Sequence, residues 1–194
     1  MPEKLKDFIT QYIDLPENDW EVIKKDFVQK VFQKDELILD EGRICRHFYF
    51  LQNGLIRFFC NMEGEDITKT FCIAPYCFTS KISFRNQSPA TEGIQALEET
   101  VAWQITRDQY KQLEKIESWN QFMRKLLTEI QDFTEKRMLI SKVYTAEENY
   151  KSLLEDYPAE LLQKIPLKHL ASFLGIAPQS LSRIRNKIHS SRRN

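Results

Sequence analysis

The sequence predicts an α+β chain: an N-terminal antiparallel β-barrel with flanking helices, one long helix suited to dimerisation, and a C-terminal helix-turn-helix. Three observations carry that prediction. Between about residues 31 and 105 the apolar residues follow a strand period, with turn formers spaced evenly among them. From Trp119 to Ile140 the pattern becomes a heptad. From Leu161 to Asn194 there are seven Lys or Arg and no Asp or Glu, laid on a two-helix pattern. The implied division is 1–115, 116–144 and 145–194.

Residues 3–30 have a helical period: Leu5, Phe8, Ile9, Tyr12 and Ile13, a break at Leu15-Pro16, then Trp20, Ile23, Phe27 and Val31. Pro16, Asn18 and Asp19 suit the start of the second helix. The segments VFQKDELILDEG, HFYFLQNGLIRFFC and DITKTFCI are rich in β-branched and aromatic residues. Asp40, Gly42, Asn53-Gly54 and the run Asn61 to Gly64 punctuate them. EGIQAL and TVAWQI, separated by Glu98 and Glu99, are expected to form a further hairpin, and a helix is expected to open at Thr106 with Asp108 in its first turn.

In the heptad, Trp119, Met123, Leu126, Ile130, Phe133, Arg137 and Ile140 alternate steps of four and three, with Arg137 the one break. This seam is the expected homodimer interface. A second stripe, Phe122, Leu127 and Met138, is left to pack on the β domain. Another helix runs from Ala146 to Tyr157 and ends at Pro158.

At the C-terminus Leu167, Leu170, Ala171 and Leu174 give a first short helix one apolar face, and Gly175 stands where a left-handed cap is wanted. Pro178 fits the first position of a second helix, since its missing N–H has no partner to lose there, and Leu181, Ile184 and Ile188 make its buried stripe. Its exposed residues are then Gln179, Ser180, Ser182, Arg183, Arg185 and Lys187. Amides, hydroxyls and guanidinium groups on a second helix of this kind are the groups that reach base edges and phosphates of double-stranded DNA. Charge agrees. The chain has 28 basic and 28 acidic residues, so residues 1–160 carry 21 − 28 = −7 and the remainder carries 7 − 0 = +7. Such a basic surface draws a polyanion through phosphate contacts and counterion release.

Composition narrows the alternatives. At 194 residues with 42% apolar side chains the chain can bury a substantial core. No run of about 18 apolar residues occurs, and the start MPEKLKDFIT lacks a cleavage pattern, so a cytoplasmic protein without a membrane span is expected. Cys45, Cys60, Cys72 and Cys77 lack C-x-x-C spacing and make no set with His47, His169 or His189, so no metal is expected. Of these, Cys72 and Cys77 are the pair to consider for oxidation. With no nucleophile–base pattern and only five glycines, none in a phosphate-cradling loop, an enzyme is not expected.

These parts together resemble the Crp/Fnr transcription regulators. The resemblance rests on G-R-I-C-R-H-F-Y-F-L-Q-N-G-L-I-R (Gly42 to Arg57) in the barrel and L-A-S-F-L-G-I-A-P-Q-S-L-S-R (Leu170 to Arg183) at the C-terminus, and it covers nearly the whole chain. The short C-terminus is most similar to members from Bacteroidetes-like bacteria. The resemblance implies a cyclic-nucleotide-binding-like jelly roll as sensor, homodimerisation through the long helix, operator DNA and RNA polymerase as partners, and a small-molecule effector that re-aims two reading heads. It places the effector pocket at Phe78, Thr79, Ser80, Ala90, Thr91 and Thr134. Cyclic-nucleotide binders of this family use a Gly-Glu pair for the ribose and an Arg for the cyclic phosphate, where this chain has Thr79-Ser80 and Ala90. A ribose acceptor and a bidentate anion clamp are thus missing, Glu92 is close by, and cyclic AMP is not expected as effector. The competing expectation is a dimeric cyclic-nucleotide-binding-like module that acts through a protein partner rather than DNA. It explains the heptad but not the acid-free tail.

Overall fold

A computed structural model describes residues 3–157 and 159–191. The chain divides into two compact units, one of residues 1–60 and 70–131, the other of residues 61–69 and 132–194.

The first unit opens with α1 (Glu3–Thr10) and α2 (Glu17–Lys24) and continues into eight strands: β1 (Val28–Phe32), β2 (Leu37–Leu39), β3 (His47–Asn53), β4 (Leu55–Met62), β5 (Glu65–Ile73), β6 (Tyr76–Phe78), β7 (Gly93–Ala96) and β8 (Thr100–Thr106). They form two four-stranded sheets, ordered β1-β8-β3-β6 and β2-β7-β4-β5. The architecture is a jelly-roll β-sandwich with flanking helices rather than a closed barrel. The second helix ends at Lys24, short of the residue 30 expected from its period, because VQKVF pairs along β8 as a strand. Nor do β7 and β8 form a hairpin: they lie in opposite sheets, β7 beside β2 and β4, and β8 between β1 and β3. Between strands of opposite sheets, Gly54 turns the chain from β3 to β4 at φ +111°, and a Cβ there would come within 2.9 Å of the Thr100 backbone.

Three further helices belong here. A short α3 (Lys81–Asn86), which has no strong signal in the sequence, follows β6. The expected helix after β8 is α4 (Arg107–Leu113), started by a capping box in which Thr106 and Gln109 satisfy each other's backbone N–H. The long helix is α5 (Glu117–Val143). The core joins Leu5, Phe8 and Ile9 of α1 to Phe48, Phe50 and Leu51 of β3, Ile105 of β8, and Trp119, Phe122 and Leu126 of α5. Rings meet edge to face through this region, as Phe8 does with Phe122 at 5.9 Å.

The second unit takes the last turns of α5, then α6 (Ala146–Asp156), α7 (Ala159–Lys164), α8 (Leu167–Phe173) and α9 (Pro178–Ser191). A capping box of Thr145 and Glu148 starts α6. Buried Ile140, Tyr150, Leu153, Leu162, Ile165, Leu170, Leu174 and Leu181 supply its apolar interior. The tip of the β4–β5 hairpin belongs to this unit. Ser172 Oγ accepts from the Thr68 N–H at 3.0 Å and donates to the Asp66 carbonyl at 2.9 Å, bracketing the tip against α8. Among the described residues no helix is long and apolar enough to cross a membrane.

Candidate functional site

The turn between α8 and α9 is built as the residues require. Gly175 takes φ +68°, its N–H donates to Ser172 O, and the Ile176 N–H donates back to Ala171 O, which closes a Schellman motif. Pro178 then opens α9, with Ala177 O accepting from Ser180 and Leu181. Leu181 and Ile188 are buried and Ile184 is half-buried, as the apolar stripe predicts.

The outer face of α9 carries Gln179, Ser180, Ser182, Arg183 and Lys187, all exposed. Arg185 does not join them, which corrects its expected place on the exposed face. Its Nη2 donates to Leu162 O at 3.2 Å and its guanidinium lies 5.7 Å from the Tyr150 ring centre. The cause is helical phase: counted at about 100° per residue, position 185 falls only about 50° from the line through Leu181 and Ile188. Lys187 is exposed, but its Nζ pairs with Glu147 Oε2 of α6 at 2.6 Å. Hydrogen bonds from Lys151 and Lys187 hold the Glu147 carboxyl down at about 2. Arg192 and Arg193, part of the basic run, lie outside the described residues.

The expected effector pocket is a tightly self-bonded segment in its first-unit part. Phe78 stacks on Tyr49, with centroids 4.8 Å apart and planes 9° from parallel. Thr79 Oγ1 donates to His47 O at 2.9 Å and lies 3.3 Å from Cys45 Sγ. Ser80, buried, donates its hydroxyl to Glu92 Oε1 at 2.9 Å, and buried Ala90 exchanges backbone bonds with Gly42 and Arg43. Thr91 is exposed. Thr134, also exposed, belongs to the other unit's part of α5. The intervening α3 is fixed at its C-terminal end by Arg107, which donates to Phe84 O at 3.1 Å and Arg85 O at 2.8 Å. Burial pushes the Cys72 thiol up to about 12 and raises that of Cys77, so the reactive thiolate is suppressed at both. Among the described residues no three His, Cys, Asp or Glu are grouped to hold a metal.

The heptad seam is largely used inside the chain, a correction to its expected role as dimer interface. Trp119 and Leu126 are 0% and 1% exposed in the first unit's core, where Met123 and Ile130 also pack. In the second unit Ile140 is buried, Phe133 is half-buried, and Arg137 donates to Asn149 Oδ1 at 2.6 Å while lying 5.2 Å from the Phe173 ring centre. The 3–4 spacing describes any helix laid along a core, whoever supplies that core. Phe122 of the second stripe is buried as expected. Its companions Leu127 and Met138 are instead exposed, together with Leu139 and Val143.

Residues 29–116 match the family model of the cyclic nucleotide-binding domain. No curated protein is significantly similar to the chain in sequence. Among solved structures, FixK2 from Bradyrhizobium japonicum is 18% identical at a TM-score of 0.71, covering 85% of this chain and 85% of that one. The c-di-GMP responsive global regulator CLP from Xanthomonas campestris is 10% identical at 0.71, covering 91% and 93%. A CooA variant from Carboxydothermus hydrogenoformans is 15% identical at 0.69, covering 87% and 79%. The resemblance to the Crp/Fnr regulators therefore holds in the fold, and the sandwich is similar to cyclic nucleotide-binding domains.

Proposed function

We propose that this chain, whose residues 29–116 match the cyclic nucleotide-binding domain model and whose fold is like that of the Crp/Fnr regulators, is a DNA-binding transcription regulator that docks α8 and α9 as a helix-turn-helix on a palindromic operator. The observation that carries the reading is the outer face of α9, where Gln179, Ser180, Ser182 and Arg183 stand exposed and no acidic residue occurs from Leu161 onward. Arg183 pairs with guanine through two parallel N–H donors, Gln179 supplies a donor and an acceptor nearer the helix start, and Ser180, Ser182 and Lys187 touch phosphates. Lys187 exchanges Glu147 for a phosphate when DNA arrives. Arg185 stays under Tyr150 and holds the helix.

The chain acts as a homodimer whose two reading helices enter successive major grooves about 34 Å apart. The second copy docks on the exposed apolar residues of α5, Leu127, Met138, Leu139 and Val143, rather than on the heptad seam. The effector is a small molecule other than cyclic AMP, because the groups that would meet ribose and phosphate are a threonine, a serine already bonded to Glu92, and an alanine. RNA polymerase is the further partner such a regulator engages.

Fluorescence anisotropy of the full chain on duplex DNA at several salt concentrations tests this. The expected outcome is affinity that falls linearly in log–log form as salt rises, at about 0.9 per phosphate contacted. Weak binding without salt dependence would instead favour a module acting on a protein partner. Calorimetry with cyclic AMP is expected to give no heat, and micromolar binding would overturn the reading of Thr79, Ser80 and Ala90.

A further inference from the structure

The exposed face of α9 extends beyond the residues assigned above. Counted at about 100° per residue, Gln179, Arg183, Asn186 and Ser190 fall within about 60° of one another, on the side opposite Leu181 and Ile188. All four are exposed. The ends of this line differ from its middle. Pro178, at the first helical position, has no side-chain donor or acceptor, so base recognition by the helix starts no earlier than Gln179. At the far end the Ser190 hydroxyl turns back to donate to the Asn186 carbonyl at 2.9 Å. The cations flanking Asn186 are both engaged, Arg185 by Leu162 and Tyr150, Lys187 by Glu147. At the third turn the helix therefore presents an uncharged amide whose side chain makes no hydrogen bond among the described residues.

We infer that Asn186 is a specificity-determining residue of the DNA interface, reading an adenine on the side of the Arg183 guanine away from the Gln179 contact. This rests on the DNA-binding reading above. A side-chain amide offers one donor and one acceptor in the plane that adenine N7 and N6 require in the major groove, and it gives no advantage over a cation at a phosphate. The reach is right: Gln179 and Asn186 are seven residues apart, about 10 Å of helix at 1.5 Å per residue. That corresponds to about three base-pair steps at 3.4 Å each, with Arg183 between.

The experiment is selection of a site by the full chain from a randomised duplex pool, followed by competition binding of the selected duplex and its single-base variants to the native chain and to Asn186→Ala. The expected result is that Asn186→Ala loses about tenfold to a hundredfold at one adenine and becomes indifferent there, with the other positions and the salt slope unchanged. Two results would overturn the inference while leaving the DNA-binding reading intact. One is an unaltered preference at every position. The other is a uniform loss on all sequences with discrimination unchanged at every position, the mark of an uncharged phosphate contact. A native chain that selects no sequence and binds no duplex would overturn the DNA-binding reading itself. Because Asn186 is exposed, circular dichroism of the variant is expected to match the native chain.

Discussion

The segment around α3 and the outer face of α9 use similar side chains to opposite ends. Around α3, Thr79, Ser80, Ser83 and Gln87 spend their polar atoms on the chain itself: a carbonyl of His47, the Glu92 carboxylate, the Ser88 carbonyl, and the carbonyls of Cys45 and Phe84. On α9, Gln179, Ser182, Arg183 and Asn186 stand exposed on the helix surface. A polar group already bonded within the fold must give that bond up before it binds a ligand, whereas an exposed one exchanges only water. The two regions thus differ in what binding would cost: the proposed DNA surface would exchange water alone, and the proposed effector segment would have to break bonds within the fold.

The sharpest way to break this contrast is to remove a residue that the heptad assigns to a partner and the fold assigns to itself. Trp119 is fully buried against Phe48 and Phe122, with ring centroids 5.9 and 5.5 Å away. Trp119→Ala is expected to cost about 3–5 kcal/mol of stability, measured by denaturant melting. An interface role would leave the monomer's stability unchanged and make only association weaker. The converse variant, Met138→Ser on the exposed face, is expected to leave the melt unchanged and lower the apparent mass in ultracentrifugation.

A smaller effect separates two arginines that lie two residues apart. Arg183→Ala is expected to lose about 1–3 kcal/mol on the selected operator and to relax discrimination at one base. Arg185→Ala, which removes the bond to Leu162 O and the packing on Tyr150, is expected to lower stability by about 1–2 kcal/mol and leave the salt slope unchanged. If Arg185→Ala instead keeps its melt and flattens the salt slope, Arg185 is a phosphate contact after all.

How far the sequence reaches can be seen residue by residue. Gly175 and Pro178 specify the α8–α9 turn because each is matched to a backbone requirement that is local, a positive φ and a missing donor. The strand pattern finds the sandwich, and Thr106 with Asp108 finds the start of α4, since period and caps are local as well. What stays hidden depends on the third dimension. Leu97 to Glu99 link β7 and β8 across two sheets with residues that serve a hairpin as well, and only the packed sandwich decides between them. The heptad of α5 cannot say whose core it faces. Charge alone points Arg185 outward, although its phase puts it beside Leu181 and Ile188. The bracket of Ser172 on Asp66 and Thr68 joins residues more than a hundred positions apart, with no motif to announce it.

The smallest expected effect tests whether α9 is as free of internal bonds as the contrast requires. Lys187 is the one exposed cation of the proposed interface with a partner inside the fold, and that partner, Glu147, also takes a bond from Lys151 at 2.8 Å. These contacts hold the Glu147 carboxyl at about 2, below the ordinary carboxylate value near 4.3. A depressed folded pKa means the contribution is fully present above about pH 5 and is lost as pH falls towards 2, so a side-chain carboxyl NMR titration should place its midpoint near 2. At neutral pH, Glu147→Gln releases Lys187 from its ion pair and removes a negative charge from beside the phosphates. Affinity for any duplex is therefore expected to rise slightly, with the salt slope steeper by no more than about one. A fall in affinity would mean that the ion pair positions α9 for DNA instead of competing with it. In that case the reading face, like the segment around α3, is held in place by bonds within the fold.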